Sequence, residues 1–147
     1  MIDTNVISEA RKRSRAKRGV RRFFRLAAAD DMAMFMSVVT VGELRRGVEL
    51  IRYRGDDRQA EKLEKWLESL LAEFRDRILD IDTDIAQLWG MLRVPHPENA
   101  LDKQIAATAL IHDLTVVTGN ERDFAATGVK LLNPFKSKSP GDKDKRA

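Results

Sequence analysis

The sequence contains no cysteine and only two histidines among its 147 residues. Disulfides, thiolate metal sites and cysteine nucleophiles are therefore excluded, a zinc site is not expected, and any bound metal would have to be held by oxygen. No apolar run approaches the roughly 18 residues of a membrane span, and no basic segment followed by an apolar stretch opens the chain. Neither a membrane anchor nor a secretory signal is expected, which places the protein in the cytoplasm. Glycine-rich phosphate loops of the dinucleotide or triphosphate kind are missing, as are internal repeats, so nucleotide cofactors are not indicated.

What is present has the balance of one globular domain: 43% hydrophobic and 34% charged residues in a chain long enough to bury a single core. The formal net charge is +4, and residues 136–147 hold +3 of it, through Lys136, Lys138, Lys143, Lys145 and Arg146 against Asp142 and Asp144. We expect a folded domain over 1–135 and a disordered basic tail over 136–147, where no apolar pattern remains. The body is nearly neutral but segregated. Nine basic residues and no acidic one lie between Arg11 and Arg25, a stretch suited to a polyanion whose phosphates it would neutralise, or simply a solvated helix face.

Helix and strand signals alternate, which predicts a parallel sheet flanked by helices. Five strands are expected: a remnant at Met1 and Ile2, then 34–39 (MFMSVV), 78–81, 114–118 (LTVVT) and a short last one at 129–132 stopped by Asn133 and Pro134. Helices are expected from near Asn5, over 19–29, 41–53, 57–75, 84–93 and 102–112, with a brief one over 121–127. The 57–75 segment is amphipathic, with Leu63, Trp66, Leu67, Leu70, Leu71 and Phe74 recurring at three- and four-residue spacings, a stripe that packing explains fully. Gly55, Asp56 and Asp57 turn the chain between this helix and the one before it, predicting a helical hairpin.

In an open parallel sheet, ligands gather beyond the carboxyl ends of the strands. Applied to this chain, that rule selects Asp3 after the first strand, Glu43 one turn into the helix after the second, Asp102 at the start of a helix, and Asn120 and Asp123 after the strand ending at Thr118. Four stretches thus deliver carboxylate or amide oxygens to one rim. Mg²⁺ and Mn²⁺ prefer such hard oxygens and bridge them to phosphates. A divalent ion would also relieve the repulsion among the acids, and could activate water against a phosphodiester.

Each acid also has a bland reading. Asp3 could cap the first helix, Asp82, Asp102 and Asn120 have N-cap positions, and Thr40-x-x-Glu43 has the spacing of a capping box in which Glu43 returns a bond to the Thr40 backbone. Capping and metal binding are compatible, because a helix N-terminus favours an ionised carboxylate. Ser37 and Thr118 could orient water or a phosphate, or could be hydroxyls satisfied by backbone. His96, in a proline-rich loop, and His112, near a helix C-terminus, read as surface residues. Trp66 and Trp89 lie on apolar helix faces and read as core or interface.

Taken together and in order, MIDTNVISE, SVVTVGELRRGVEL, LDKQIAATALIHDLTVVTGNERDF and VKLLNPF resemble the successive motifs of the PIN-domain family, and within it the VapC toxins of bacterial toxin–antitoxin pairs. The resemblance covers residues 1 to about 135. It implies a three-layer α/β/α sandwich around a parallel sheet of about five strands, an endoribonuclease activity dependent on Mg²⁺ or Mn²⁺, a homodimer, and an antitoxin protein that occludes the active site. By motif position it implies Asp3, Glu43 and Asp102 as metal ligands, with a fourth from the NERD segment. Asn120 stands where many relatives carry Asp, leaving Asp123 as the nearest charged alternative. Thr4, Asn5, Ser37, Thr118, Arg11, Arg13 and Lys103 complete the set expected to face RNA, with Lys103 either pairing with the site or binding a phosphate.

Two rivals stand beside this reading. One is a catalytically weak PIN-like domain that binds RNA or a partner, favoured by Asn120. The other is a Mg²⁺ phosphotransfer domain such as a haloacid-dehalogenase-like phosphatase or a receiver, which would need a DxD nucleophile pair or a phosphoacceptor Asp with a later Lys. Asp3-Thr4-Asn5 does not supply the former.

Overall fold

A computed structural model describes residues 1–136. Short parallel strands alternate with helices in the order α1 (Thr4–Ala10), α2 (Arg18–Ala29), β1 (Met36–Ser37), α3 (Val38–Tyr53), α4 (Asp57–Glu73), β2 (Ile78–Leu79), α5 (Thr83–Leu92), α6 (Ala100–Ile111), β3 (Val116–Val117), α7 (Glu121–Phe124) and β4 (Leu131–Leu132), with 3-10 turns at Arg13–Arg15, Arg75–Arg77 and Ala125–Thr127.

The strands form two parallel pairs, β1 with β2 and β3 with β4. The N-terminal segment joins them. The Ile2 N–H donates to the Phe35 carbonyl at 2.8 Å, while on its other side Val117 N–H donates to Met1 O at 2.8 Å and Asp3 N–H donates to Val117 O at 2.9 Å. Residues 1–3 are thus laced between both pairs, and the chain leaves this central position directly into the cap of α1.

Side chains alternate across this array, as the two-residue period of extended backbone requires. Ile2, Met36 and Val117 enter one core with Val6, Val20, Leu44, Val48 and Leu67. Met1 and Val116 enter the other with Ile105, Ala106, Ala109 and Phe124. Helices α1 to α4 cover the first face and α6 and α7 the second, which gives the expected three layers. The amphipathic stripe of α4 packs as predicted, and the α3–α4 hairpin is present, turned at Gly55 (φ 88°), a left-handed conformation that glycine adopts without steric cost. Asp56 caps α4 by accepting from Gln59 N–H at 3.1 Å.

Several boundaries differ from the sequence reading: the strands expected over 78–81, 114–118 and 129–132 shorten to Ile78–Leu79, Val116–Val117 and Leu131–Leu132, and two further shifts have a clear local cause. The strand expected over 34–39 survives only at Met36–Ser37, because Ser37 Oγ accepts the Val39 N–H at 3.1 Å and starts α3 at Val38. Valines 38 and 39, apolar enough for a strand, open a helix instead. The helix expected from Asp102 begins at Ala100, with Asn99 as its cap in the left-handed region (φ 56°), which asparagine tolerates. The tail expected over 136–147 lies outside the described residues, apart from Lys136, whose ammonium stands 2.5 Å from Glu121.

Candidate metal centre

The chain beyond the strand ends opens into a cleft of about 550 Å³ whose lining includes Asp3, Glu43, Asp102 and Asn120. Asp3 follows the central segment, Glu43 sits in α3 after β1, Asp102 occupies the first turn of α6, and Asn120 follows β3. Asp3, Glu43 and Asn120 meet here because parallel strands bring the segments that follow them to the same edge, and α6, which follows α5, adds Asp102 by packing against α3.

Asp3 is buried and the most firmly held. Its Oδ1 accepts the Thr4 N–H at 2.8 Å, so it caps α1, and its Oδ2 accepts from Thr118 Oγ1 at 2.8 Å and Asn5 Nδ2 at 3.0 Å. Thr118 and Asn5 form a frame around it. Thr118 Oγ1 accepts from Asn120 N–H at 3.0 Å and from Asn5 Nδ2 at 3.2 Å, and Asn5 Oδ1 accepts the Gly119 N–H at 2.9 Å. Gly119 also admits the ring of Phe135, which would stand 2.7 Å from any Cβ there. Burial raises the Asp3 pKa above the ordinary carboxylate value, and the bonds from Thr118, Thr4 and Asn5 oppose that rise.

Glu43 takes its hydrogen bond from the Thr4 hydroxyl. The capping box expected from Thr40-x-x-Glu43 is therefore not formed: Ser37 holds the cap, Glu43 turns to the cleft, and the buried Thr40 hydroxyl has no hydrogen-bond partner among the described residues. Burial raises the Glu43 pKa, and the negative charge of Asp3 adds to the rise. Asp102 is not a cap either. Its pKa is pushed up to about 6, by burial first and then by the charges of Asp3, Asp123 and Glu43. Asp123 thus reaches the site electrostatically, while its carboxylate is engaged by the amides of Asn120 and Asn99.

The other predicted site residues divide. Thr4 and Asn5 line the cleft, and Thr118 supports Asp3 from behind. Ser37 is buried at the α3 cap. Lys103 is buried too, and its ammonium donates to the His96 carbonyl, away from the acids. Arg11 and Arg13 line a separate apolar pocket of about 370 Å³ beside Phe24 and Trp66. All nine basic residues from Arg11 to Arg25 are exposed. Sequence reasoning missed Arg46 and Leu101, which also line the cleft. Arg46 lies one turn beyond Glu43 on α3, a spacing that shares a helix face and could have flagged it.

The donor set suits a hard divalent cation. It is all oxygen, it is negatively charged, and each of its three principal acids is harder to ionise than usual because it faces the others or lacks water. A cation relieves all three penalties together. Among the described residues no group of three acids or imidazoles forms a ready-made metal cage, so the fit is to an ion held by one or two carboxylates with water filling its remaining positions, as is usual for Mg²⁺.

Comparison with known proteins follows the same lines. The family model of the PIN domain matches residues 1–130. The chain is similar to the toxin FitB of Neisseria gonorrhoeae, 36% identical over 142 residues, which cover 92% of this chain and 97% of FitB. It is also similar to the VapC ribonuclease Y4jK of Sinorhizobium fredii, 29% identical with 92% and 96% covered. A solved structure of FitAB bound to an IR36 DNA fragment superimposes with a TM-score of 0.76 at 32% identity, covering 95% of this chain and 97% of that one.

Proposed function

Since the chain belongs to the PIN-domain family, we propose that it is the toxin of a toxin–antitoxin pair and acts as a divalent-metal-dependent endoribonuclease. The observation that carries this reading is the convergence of Asp3, Glu43 and Asp102 on one cleft with raised pKa values. The similarity to a toxin and to a ribonuclease along nearly the whole chain supports it.

In this reading Asp3, Glu43 and Asp102 ring Mg²⁺ or Mn²⁺, one or two of them binding it directly and the others, with Asn120 or Asp123 as the fourth contributor, acting through its waters. Bound there, the metal would supply an activated water and neutralise charge building on the RNA phosphate. The protein's part is placement. Thr118 and Asn5 fix the Asp3 carboxylate, Thr4 orients Glu43, and Asp102, whose carboxylate accepts no hydrogen bond among the described residues, is left able to accept a ligand. Such outer contacts set ligand orientation and basicity. The exposed basic stretch would draw RNA toward the cleft through its phosphates. An antitoxin would restrain the enzyme by covering the cleft, and the active form would be a homodimer. The amide of Asn120, which adds no charge, favours as second reading a catalytically weak domain that binds RNA or a partner.

The test is a panel of fluorescent RNAs incubated with antitoxin-free protein in Mg²⁺ or EDTA, beside Asp3→Asn and Asp102→Asn. Cleavage in Mg²⁺ that disappears with EDTA and with either substitution is expected. Cleavage that survives both would refute the mechanism, and a silent wild type would favour the binding reading.

A further inference from the structure

A second pocket, of about 300 Å³, opens between α1, α3 and α4 and shares Thr4 and Glu43 with the acidic cleft. Its wall is apolar, made in part by Val48, Leu63 and Trp66, and its rim carries Ser8 and Arg11. The Arg11 guanidinium lies over the Trp66 ring at 5.8 Å from the centroid, and Arg11 is exposed. Gly47 also lines the pocket, and a Cβ there would meet no heavy atom within 4 Å. The helix is open at this point and offers its bare backbone to whatever enters.

We propose that this pocket is a nucleobase subsite, which seats the base beside the phosphate held in the cleft. The inference rests on the ribonuclease reading and deepens it. The guanidinium laid over the Trp66 ring presents its exposed outer plane to the π face of a base, and polar groups at a rim can reach a base edge. Continuity selects the occupant. A polynucleotide whose phosphate sits against Glu43 must place a neighbouring nucleotide within one backbone step, and the pocket begins at that same Glu43. The exposed Arg11, one of nine basic residues with no acid among them, favours a polyanion over a polypeptide, and the antitoxin affinity of the variants distinguishes the two.

Gly47 makes the idea testable without touching the acids, because a larger side chain there fills the pocket without colliding with the fold, and glycine is a poor helix former. Wild type, Gly47→Leu and Gly47→Ala are incubated in Mg²⁺ with a pool of randomised single-stranded RNA oligonucleotides, and the cut ends are sequenced. Thermal unfolding is followed in parallel. The wild type is expected to prefer one base next to the cut. Gly47→Leu should unfold no earlier, lose that preference, and show kcat/KM on the preferred RNA lower by about tenfold or more, the size expected for loss of one stacked base. Gly47→Ala should fall between them. An abasic nucleotide at the preferred position should make all three proteins equal. Arg11→Gln gives a second route if Gly47→Leu misfolds, and should weaken the same preference.

If the wild type cleaves but both Gly47 variants keep its base preference and kcat/KM, the subsite does not exist while the ribonuclease reading stands. Variants that cleave normally but lose affinity for the antitoxin would assign the pocket to a polypeptide and overturn the proposal. A wild type that cleaves none of the pool removes the ribonuclease reading and the subsite with it.

Discussion

Replacing Asp102 by Asn should make the metal-free protein more stable, although it removes a residue proposed for metal binding. The carboxyl pKa is raised from 3.8 to about 6. An acid with a raised folded pKa contributes fully below its unfolded pKa, and that contribution is lost as pH rises toward the folded value. The window here runs from about pH 4 to pH 6. Two pKa units at about 1.4 kcal/mol each set an upper bound near 3 kcal/mol. Partial exposure of Asp102 and its favourable place in the first turn of α6 reduce this to about 1–2 kcal/mol. For a domain of this length that corresponds to a rise in Tm of about 2–8 °C at pH 7.5. The assay is thermal unfolding of wild type and Asp102→Asn in EDTA from pH 4 to 8, followed by a Mg²⁺ titration at pH 7.5. The variant should gain through the window and hold a constant advantage above it. Mg²⁺ should then raise the wild-type Tm and leave the variant nearly unmoved. A variant no more stable than wild type at pH 7.5, or one whose advantage is the same at pH 4, would refute the argument that the acids destabilise one another.

The remaining expectations concern the frame, the fourth ligand and the core. Thr118→Val removes the hydroxyl that donates to Asp3 at 2.8 Å; Mg²⁺ affinity, read from Tm against metal concentration, should fall by about tenfold or more. Asn120→Asp places a further charge beside Asp123 and Asp102; it should lower Tm in EDTA and enlarge the shift produced by Mg²⁺, and an unchanged metal response would place residue 120 outside the site. Leu67→Ala, at the fully buried position of the α4 stripe, should cost about 2–5 kcal/mol in denaturant unfolding without altering the cleavage pattern.

Much of the architecture is written in local pattern. The stripe from Leu63 to Phe74 has one apolar face and could only be a packed amphipathic helix; Gly55 with Asp56 ends one helix and caps the next; and alternating strand and helix signals imply a layered parallel fold. Asp3 and Glu43 were legible too, because a topological rule, independent of detailed packing, collects strand ends at one edge; Asp102 follows α5 and joins them through the packing of α6 on α3. The roles of single residues were not legible. Glu43 has the spacing of a capping partner for Thr40, yet Ser37 takes the cap and Thr4, distant in sequence, takes Glu43. Lys103 is adjacent to Asp102 in the chain, but it turns inward to a carbonyl because the helix carries consecutive side chains about 100° apart.

By itself, then, the order of residues determined which segments become helices, which acids follow strands, and that any metal must be oxygen-bound. Tertiary structure alone decided that Asp3, Glu43 and Asp102 share a cleft, that the Asp102 carboxyl is pushed up to about 6, and that Arg46 and the pocket at Gly47 adjoin them. The physical reason is that helix periodicity and capping are short-range properties, readable within a few residues. Desolvation and charge repulsion depend on what the folded chain brings within a few ångströms.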